Sequence, residues 1–337
     1  MLVVRAARTA DHSAFLELAA AAGPGFTSLS LSADALAEKL AVSEAAFRGE
    51  IVDRSDASYQ LMLEDDESGQ VLGTAAIKAG VGIKKPYFDF KIFTLAQSSR
   101  EAQRRFDMDA MLLVNDFAGA TEVGSLFVRD AARGTGGGRL VAQTRYMVMA
   151  ADRSKFGDRA LAELRGVVDE AGHSPFFEHV TRPFFRMTFD EADRLSAATD
   201  NQFILDLMPN HPIYVDLLPK EAREVIGLTH PHGVNARRLL EWEGFTYDRY
   251  VDIFDAGPLV SCPMDSVRTV RDSRRVTAKA AGGGERVQAL VSNDRLADFR
   301  CVFTEIEAGE DAAGLPDAAL KALDITTGEA VRIWVRQ

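Results

Sequence analysis

Cysteine is almost missing from this chain. Only Cys262 and Cys301 occur in 337 residues, so there is no disulfide framework and no cysteine spacing suited to zinc. That usage fits a reducing compartment, and a cytoplasmic location is expected. Long apolar runs are missing too. None approaches the roughly 20 residues that span a bilayer, so no membrane association is expected. Charges interrupt the apolar stretch of residues 1–15, which excludes a signal-peptide pattern there. Positive charge is in deficit: 39 Lys and Arg against 50 Asp and Glu leave −11, which argues against nucleic acid as the main partner. No clean internal repeat is visible. What remains is an ordinary globular mixture, 47% apolar and 26% charged. Its length suits about two domains.

Residues 122–149 are the most informative stretch. An apolar strand over residues 125–128 runs into Arg133-Gly134-Thr135-Gly136-Gly137-Gly138, and a helix pattern follows. Backbone without side chains at a helix start can wrap an anion with its N–H groups, and the helix dipole favours phosphate there. Gly138 is followed by Arg139 and Leu140 rather than Lys and Ser or Thr, which excludes a Walker-type loop. The glycines are also misplaced for a dinucleotide fingerprint. The spacing Arg-x-x-Gly-x-Gly directly after a strand resembles the pyrophosphate loop of the GNAT superfamily of acyl-CoA-dependent N-acyltransferases. The resemblance makes Leu126, Val128, Arg133, Gly134, Gly136 and Gly138 the expected contacts of an acyl-CoA. Arg129, Arg133, Arg139 and Arg145 are expected to gather positive charge around the loop.

The rest of the chain supports the same order. A short strand at residues 3–4 leads to a helix over 9–22, stopped by Gly23-Pro24-Gly25. A charged helix pattern covers 33–48, residues 59–63 and 71–77 form a hairpin candidate, and 81–93 is a further strand pair. Residues 161–168 read as a strand. An aromatic excursion over 171–215 marks either an interface or, as the favoured reading, the core of a second half. Residues 235–243, then Gly244 and Phe245, form a closing helix, glycine stop and strand start. Residues 279–285 are a glycine-rich linker before a small α+β tail. The expected fold is therefore α+β and GNAT-like: two GNAT-like halves over 1–160 and 161–270, plus a C-terminal α+β subdomain over 280–337.

Several segments together resemble the bacterial arginine N-succinyltransferase family. They include Gly25-Phe26-Thr27-Ser28-Leu29, Asn115-Asp116, Leu126-Phe127, residues 163–170, Ser174-Pro175-Phe176, residues 208–214, Gly227-Leu228-Thr229-His230-Pro231 and residues 252–258. Ser30 and His173 depart from the family pattern, where proline and an aromatic residue are usual. The resemblance implies that succinyl-CoA and L-arginine give N2-succinyl-L-arginine and CoA. It puts the catalytic proton donor on His230 and a succinyl-CoA contact on Leu126. It also implies an oligomer, either a homodimer or an assembly with a related subunit, and no permanently bound cofactor. The alternatives are another basic amino acid such as ornithine as acceptor, or a non-catalytic partner subunit.

The chemistry agrees with these assignments. An amine attacks a thioester only when neutral, and the leaving thiolate gains from a proton. A group titrating near neutrality serves both needs, and histidine is the default. Of His12, His173, His179, His211, His230 and His232, only His230 and His232 share a loop just before a helix. No third ligand has suitable spacing, so no metal is expected. The GNAT resemblance implies that backbone amides near residues 126–128 hold the oxyanion. A guanidinium calls for carboxylates, for which Asp169 and Glu170 are the candidates, then Glu122 and Asp116. Arg165, Lys91, Thr27 and Ser28 are candidates for the succinyl carboxylate.

Overall fold

The computed structural model describes residues 1–23, 28–169 and 172–336. The chain folds as two compact units, each discontinuous in sequence. The first comprises Met1–Gly80, Thr121–Ala160 and Pro263–Gln337. The second comprises Val81–Ala120 and Leu161–Cys262.

The first unit is built on a mixed sheet. Its strand order is Val287–Ser292, Ala330–Val335, Arg274–Ala280, Ala312–Leu315, Arg300–Ala308, Leu2–Ala6, Ser58–Asp65, Val71–Lys78 and Thr121–Val128. The strands Ser58–Asp65 and Val71–Lys78 are buried along most of their length. They therefore read as continuous apolar runs rather than as alternating ones. Helices His12–Ala22, Ala33–Phe47 and Gly137–Ala151 pack on these central strands. Phe15 and Leu18 on the first helix, and Leu36 and Leu40 on the second, meet Met62, Val71 and Phe127. The spacings of three and four place each pair on one helix face. Each fully buried side chain of this size stabilises the fold by roughly 1.5–3 kcal/mol. The Ser32 hydroxyl caps the second helix by accepting from the Ala35 N–H at 3.2 Å.

The tail is not a separate body. Val3 pairs with Val302 and Val4 with Cys301, so the tail strands extend the sheet that carries Leu2–Ala6. Val3 accordingly joins the same apolar cluster as Val276, Val291, Leu315 and Ile333. The expected linker at 279–285 is strand at its start, because Arg274–Ala280 pairs with both Ala312–Leu315 and Ala330–Val335.

The second unit has the strand order Arg159–Glu163, Pro258–Pro263, Thr246–Asp252, Asp89–Ser99, Arg104–Val114 and Ile213–Tyr214. Instead of a strand pair at 81–93, one long hairpin runs in register from Asp89↔Val114 to Ser99↔Arg104. The aromatic excursion is largely core: Phe176, Phe177, Phe185 and Met208 pack with Phe90, Val251 and Ile253. The sequence strand expected over 161–168 stops at Glu163. Beyond it, close backbone contact with residues 255–257 replaces regular pairing.

These units cut across the contiguous spans 1–160, 161–270 and 280–337. Strand pairing joins 81–120 to 161–262 and joins the tail to the first residues, whatever their order in the chain.

Candidate active site

In the first unit the Thr121–Val128 strand pairs with Val71–Lys78, but its register breaks. Thr74 faces Phe127 and Ala76 faces Gly124, so Ser125 and Leu126 both fall opposite Ala75. The extra residue is a β-bulge, and Ser125 takes a φ of 51° to make it. A bulge leaves strand amides without ladder partners, which is what an oxyanion or pantetheine contact near Leu126 requires. Leu126 is half-buried, whereas Phe127 and Val128 are core.

After Val128 the chain makes a short turn at Asp130–Ala132 and reaches the glycines. Gly134 and Gly136 have φ of 79° and 91°, where a side chain would be strained. No side chain caps the helix Gly137–Ala151 that follows. The cap position, Gly136, has no side chain to accept from the first turn, and the positive end of the helix dipole faces the glycines. Arg133 is tied to the same loop, donating from Nε to the Val128 carbonyl at 3.2 Å and pairing with Asp130 at 2.7 Å. Arg129 pairs with Glu17 at 2.9 Å. Arg145 does not join this cluster. It is buried on the helix and donates to the Ala142 carbonyl, because the helix turns that face into the core. Glu122, on the same strand, is held by Lys78 at 2.7 Å, so it already has a cation.

His230 lies in the second unit, in a loop fixed at several points. The Gly227 N–H donates to Ala256 O at 2.9 Å, and the His230 N–H to Arg165 O at 2.8 Å. Arg237, on the helix Val234–Glu243, donates to the Thr229 hydroxyl at 3.2 Å. The His232 N–H donates to His230 Nδ1 at 3.2 Å. A nitrogen that accepts carries no proton, so the neutral ring holds its proton on Nε2 and presents a donor there. Partial burial, then the charge of Arg165 and the His232 ring, lower the His230 pKa. All of these favour the neutral ring near neutrality.

A backbone crossing supports the loop. The Asp255 carboxylate accepts from the Gly257 and Gly166 N–H groups, each at 2.8 Å. Leu164 N–H donates to Pro258 O at 3.1 Å. Asp252 accepts from the N–H groups of Phe254 and Asp255 at 2.7 and 2.8 Å. Burial raises the pKa of both aspartates. The nearby charge of Glu163 raises Asp252 further, and that of Asp252 raises Asp255. This support was not expected from the sequence, although the run 252–258 was singled out. Gly166 and Gly257 stand where a Cβ would meet the backbone of the other segment, a contact made only in the folded chain.

Each of the expected acceptor-binding acids among the described residues already has a partner. Asp116 accepts from the Tyr250 hydroxyl at 2.8 Å, and the Lys91 ammonium lies 3.9 Å from the Tyr250 ring centre. Asp169 accepts from the His173 N–H at 2.8 Å and lies 3.3 Å from its ring, closing its own turn. It is not on a strand, so strand alternation does not decide its direction. Glu170 and Thr27 lie outside the described residues. Among the described residues no group of acids, histidines and cysteines is arranged to hold a metal. No helix there is long and apolar enough to cross a membrane.

The family model described as arginine N-succinyltransferase beta subunit matches residues 2–269. The chain belongs to this family. A second model, the C-terminal domain of the same beta subunit, matches residues 274–334. The arginine N-succinyltransferase of Escherichia fergusonii is 38% identical over 335 residues, covering 99% of this chain and 97% of that protein. The Shigella dysenteriae protein of the same name is equally similar, 38% over 335 residues. Among solved structures, the arginine/ornithine succinyltransferase subunit AI from Pseudomonas aeruginosa is 33% identical with a TM-score of 0.88, covering 99% of this chain and 98% of that one. The mixed α+β fold is thus shared with the succinyltransferase subunit along 99% of the chain.

Proposed function

We propose that this protein is an arginine N-succinyltransferase that moves the succinyl group from succinyl-CoA to the α-amine of L-arginine. The observation that carries the chemical class is the bulged strand feeding an uncapped glycine turn, a geometry suited to a thioester carbonyl and a pyrophosphate. The names of the relatives support the donor and the acceptor. Gly134, Gly136, Gly138 and Arg133 would hold the pyrophosphate, and amides near Leu126 and Val128 the acyl carbonyl.

His230 would act through Nε2. The neutral amine attacks the thioester carbonyl, and the C–S bond breaks as the amide forms. The ring takes up the proton that the nitrogen loses and, as the imidazolium, donates its Nε2 proton to the leaving sulfur, which restores the neutral ring. The net transfer is one proton from nitrogen to sulfur. Asp116, Asp169, Glu170 and Glu122 remain the acids assigned to the guanidinium. Assembly as a homodimer or with a related subunit is part of this proposal, and the subunit names of the relatives support it.

The test is thiol release from succinyl-CoA or acetyl-CoA, each with L-arginine or L-ornithine. Fast release with succinyl-CoA and arginine is expected. The His230→Ala variant should retain CoA binding and lose turnover by about 100-fold or more. Equal turnover in that variant would remove the catalytic assignment. Equal efficiency with ornithine would broaden the acceptor.

A further inference from the structure

Lys39 stands on the helix Ala33–Phe47 in the first unit. Its ammonium donates to the Ser28 carbonyl at 2.6 Å. The Ser28 hydroxyl accepts from the Ser125 hydroxyl at 2.9 Å, and Ser125 is the residue whose backbone makes the bulge. Lys39 is thereby tied, through one residue, to the strand position assigned to the thioester carbonyl. Lys78 and Glu122 form an ion pair close enough to act on it.

The charges here do not balance. Lys78 has Glu122 at 2.7 Å, whereas Lys39 makes no ion pair with any described residue. An ammonium has three donors, and the carbonyl of Ser28 occupies one of them. Lys39 is half-buried, and partial burial with a single neutral acceptor is unfavourable for a cation. Burial, and then the charge of Lys78, lower the Lys39 pKa to about 8, and the more distant carboxylate of Glu122 only partly offsets them. A carboxylate arriving beside Lys39 would supply the missing countercharge and the missing acceptors.

We infer that Lys39 binds the terminal carboxylate of the acyl group and so selects a dicarboxylic acyl-CoA over acetyl-CoA. The succinyl carboxylate lies two methylenes beyond the carbonyl, while acetyl offers a methyl group with nothing to pair. The inference rests on the acyl-CoA reading of the bulge and glycine turn. The α-carboxylate of arginine has the same chemistry but belongs to the acceptor, and the two are separable by experiment.

The variant is Lys39→Gln, which keeps an amide donor within reach of Ser28 and removes the charge. Lys39→Met removes both. In each, kcat/KM is measured for succinyl-CoA and for acetyl-CoA at saturating arginine, together with the affinity of both thioesters without acceptor. These ratios do not depend on the fraction of protein that is folded. The succinyl-to-acetyl ratio should fall roughly 10- to 150-fold, the range for losing a charged hydrogen bond, in both turnover and affinity. An unchanged ratio, or a raised arginine KM with equal losses for both donors, would overturn the inference alone. A wild-type chain with no turnover of succinyl-CoA would overturn the underlying reading and the inference with it.

Discussion

Replacing Gly257 with alanine tests whether the backbone crossing behind His230 matters. An added Cβ would lie 2.0 Å from Leu164 O, 2.6 Å from Gly166 N and 2.9 Å from the Arg165 carbonyl carbon. All three neighbours are backbone, so no side chain can swing away. The two segments would have to part by about 1 Å or more, since real Cβ contacts essentially never fall below 3.0 Å. That movement strains the Gly257 and Gly166 bonds to Asp255 and the Leu164 bond to Pro258. Losing two such buried bonds costs about 1 kcal/mol each, and overpacking adds about 1–3 kcal/mol. A destabilisation of about 3–5 kcal/mol is expected, read from denaturant unfolding of the full chain. Arg165 also accepts from the His230 N–H at 2.8 Å, so the loop should shift with it. A misplacement of that size lowers kcat on the order of 100-fold. Gly282→Ala is the control, because its Cβ would meet only Glu307 at 3.7 Å. A Gly257→Ala protein within about 1 kcal/mol of wild type, with unchanged kcat, would refute the reasoning.

Two further outcomes follow from other parts of the molecule. Gly136→Ala leaves open space around the new Cβ but forces alanine to a φ of 91°, so a stability loss of about 1–2 kcal/mol and weaker CoA binding are expected; calorimetric CoA titration with unchanged affinity would contradict the anion-turn assignment. The raised pKa values of Asp252 and Asp255 make an alkaline-side prediction. A folded pKa above the unfolded one gives stability that is full below about pH 4 and is lost as pH rises through the folded value, here towards neutrality and above. Asp252→Asn should flatten this decline in denaturant midpoints between about pH 5 and pH 9, whereas parallel curves for the two proteins would show that the pair does not titrate there.

Much of the frame was legible because it is local. The helix Gly137–Ala151 follows its glycines directly, and Gly244 stops the helix Val234–Glu243 in a left-handed turn, as its position in the chain suggests. The tail helix Asp317–Leu323 and the strands Val287–Ser292 and Ala330–Val335 lie where apolar patterning puts them. The bulge at Ser125 was less open to reading. Its φ of 51° belongs to a serine, and register depends on the facing strand. The hairpin Asp89–Ser99 with Arg104–Val114 carries a polar outer half, so hydrophobic periodicity found only its inner end.

The sequence by itself determined the glycine turn, the helix it starts, the histidine loop and the family, because each is written in neighbouring residues. Tertiary structure alone decided what those pieces are attached to. Val3 meets Val302, Lys39 meets Ser28 and Ser125 through one link, and Asp255 ties Gly166 to Gly257 beneath His230. Even the proton on His230 was set this way, by the single N–H that occupies Nδ1. Such contacts depend on where strands pair and where backbones cross, and no local pattern of side chains encodes that.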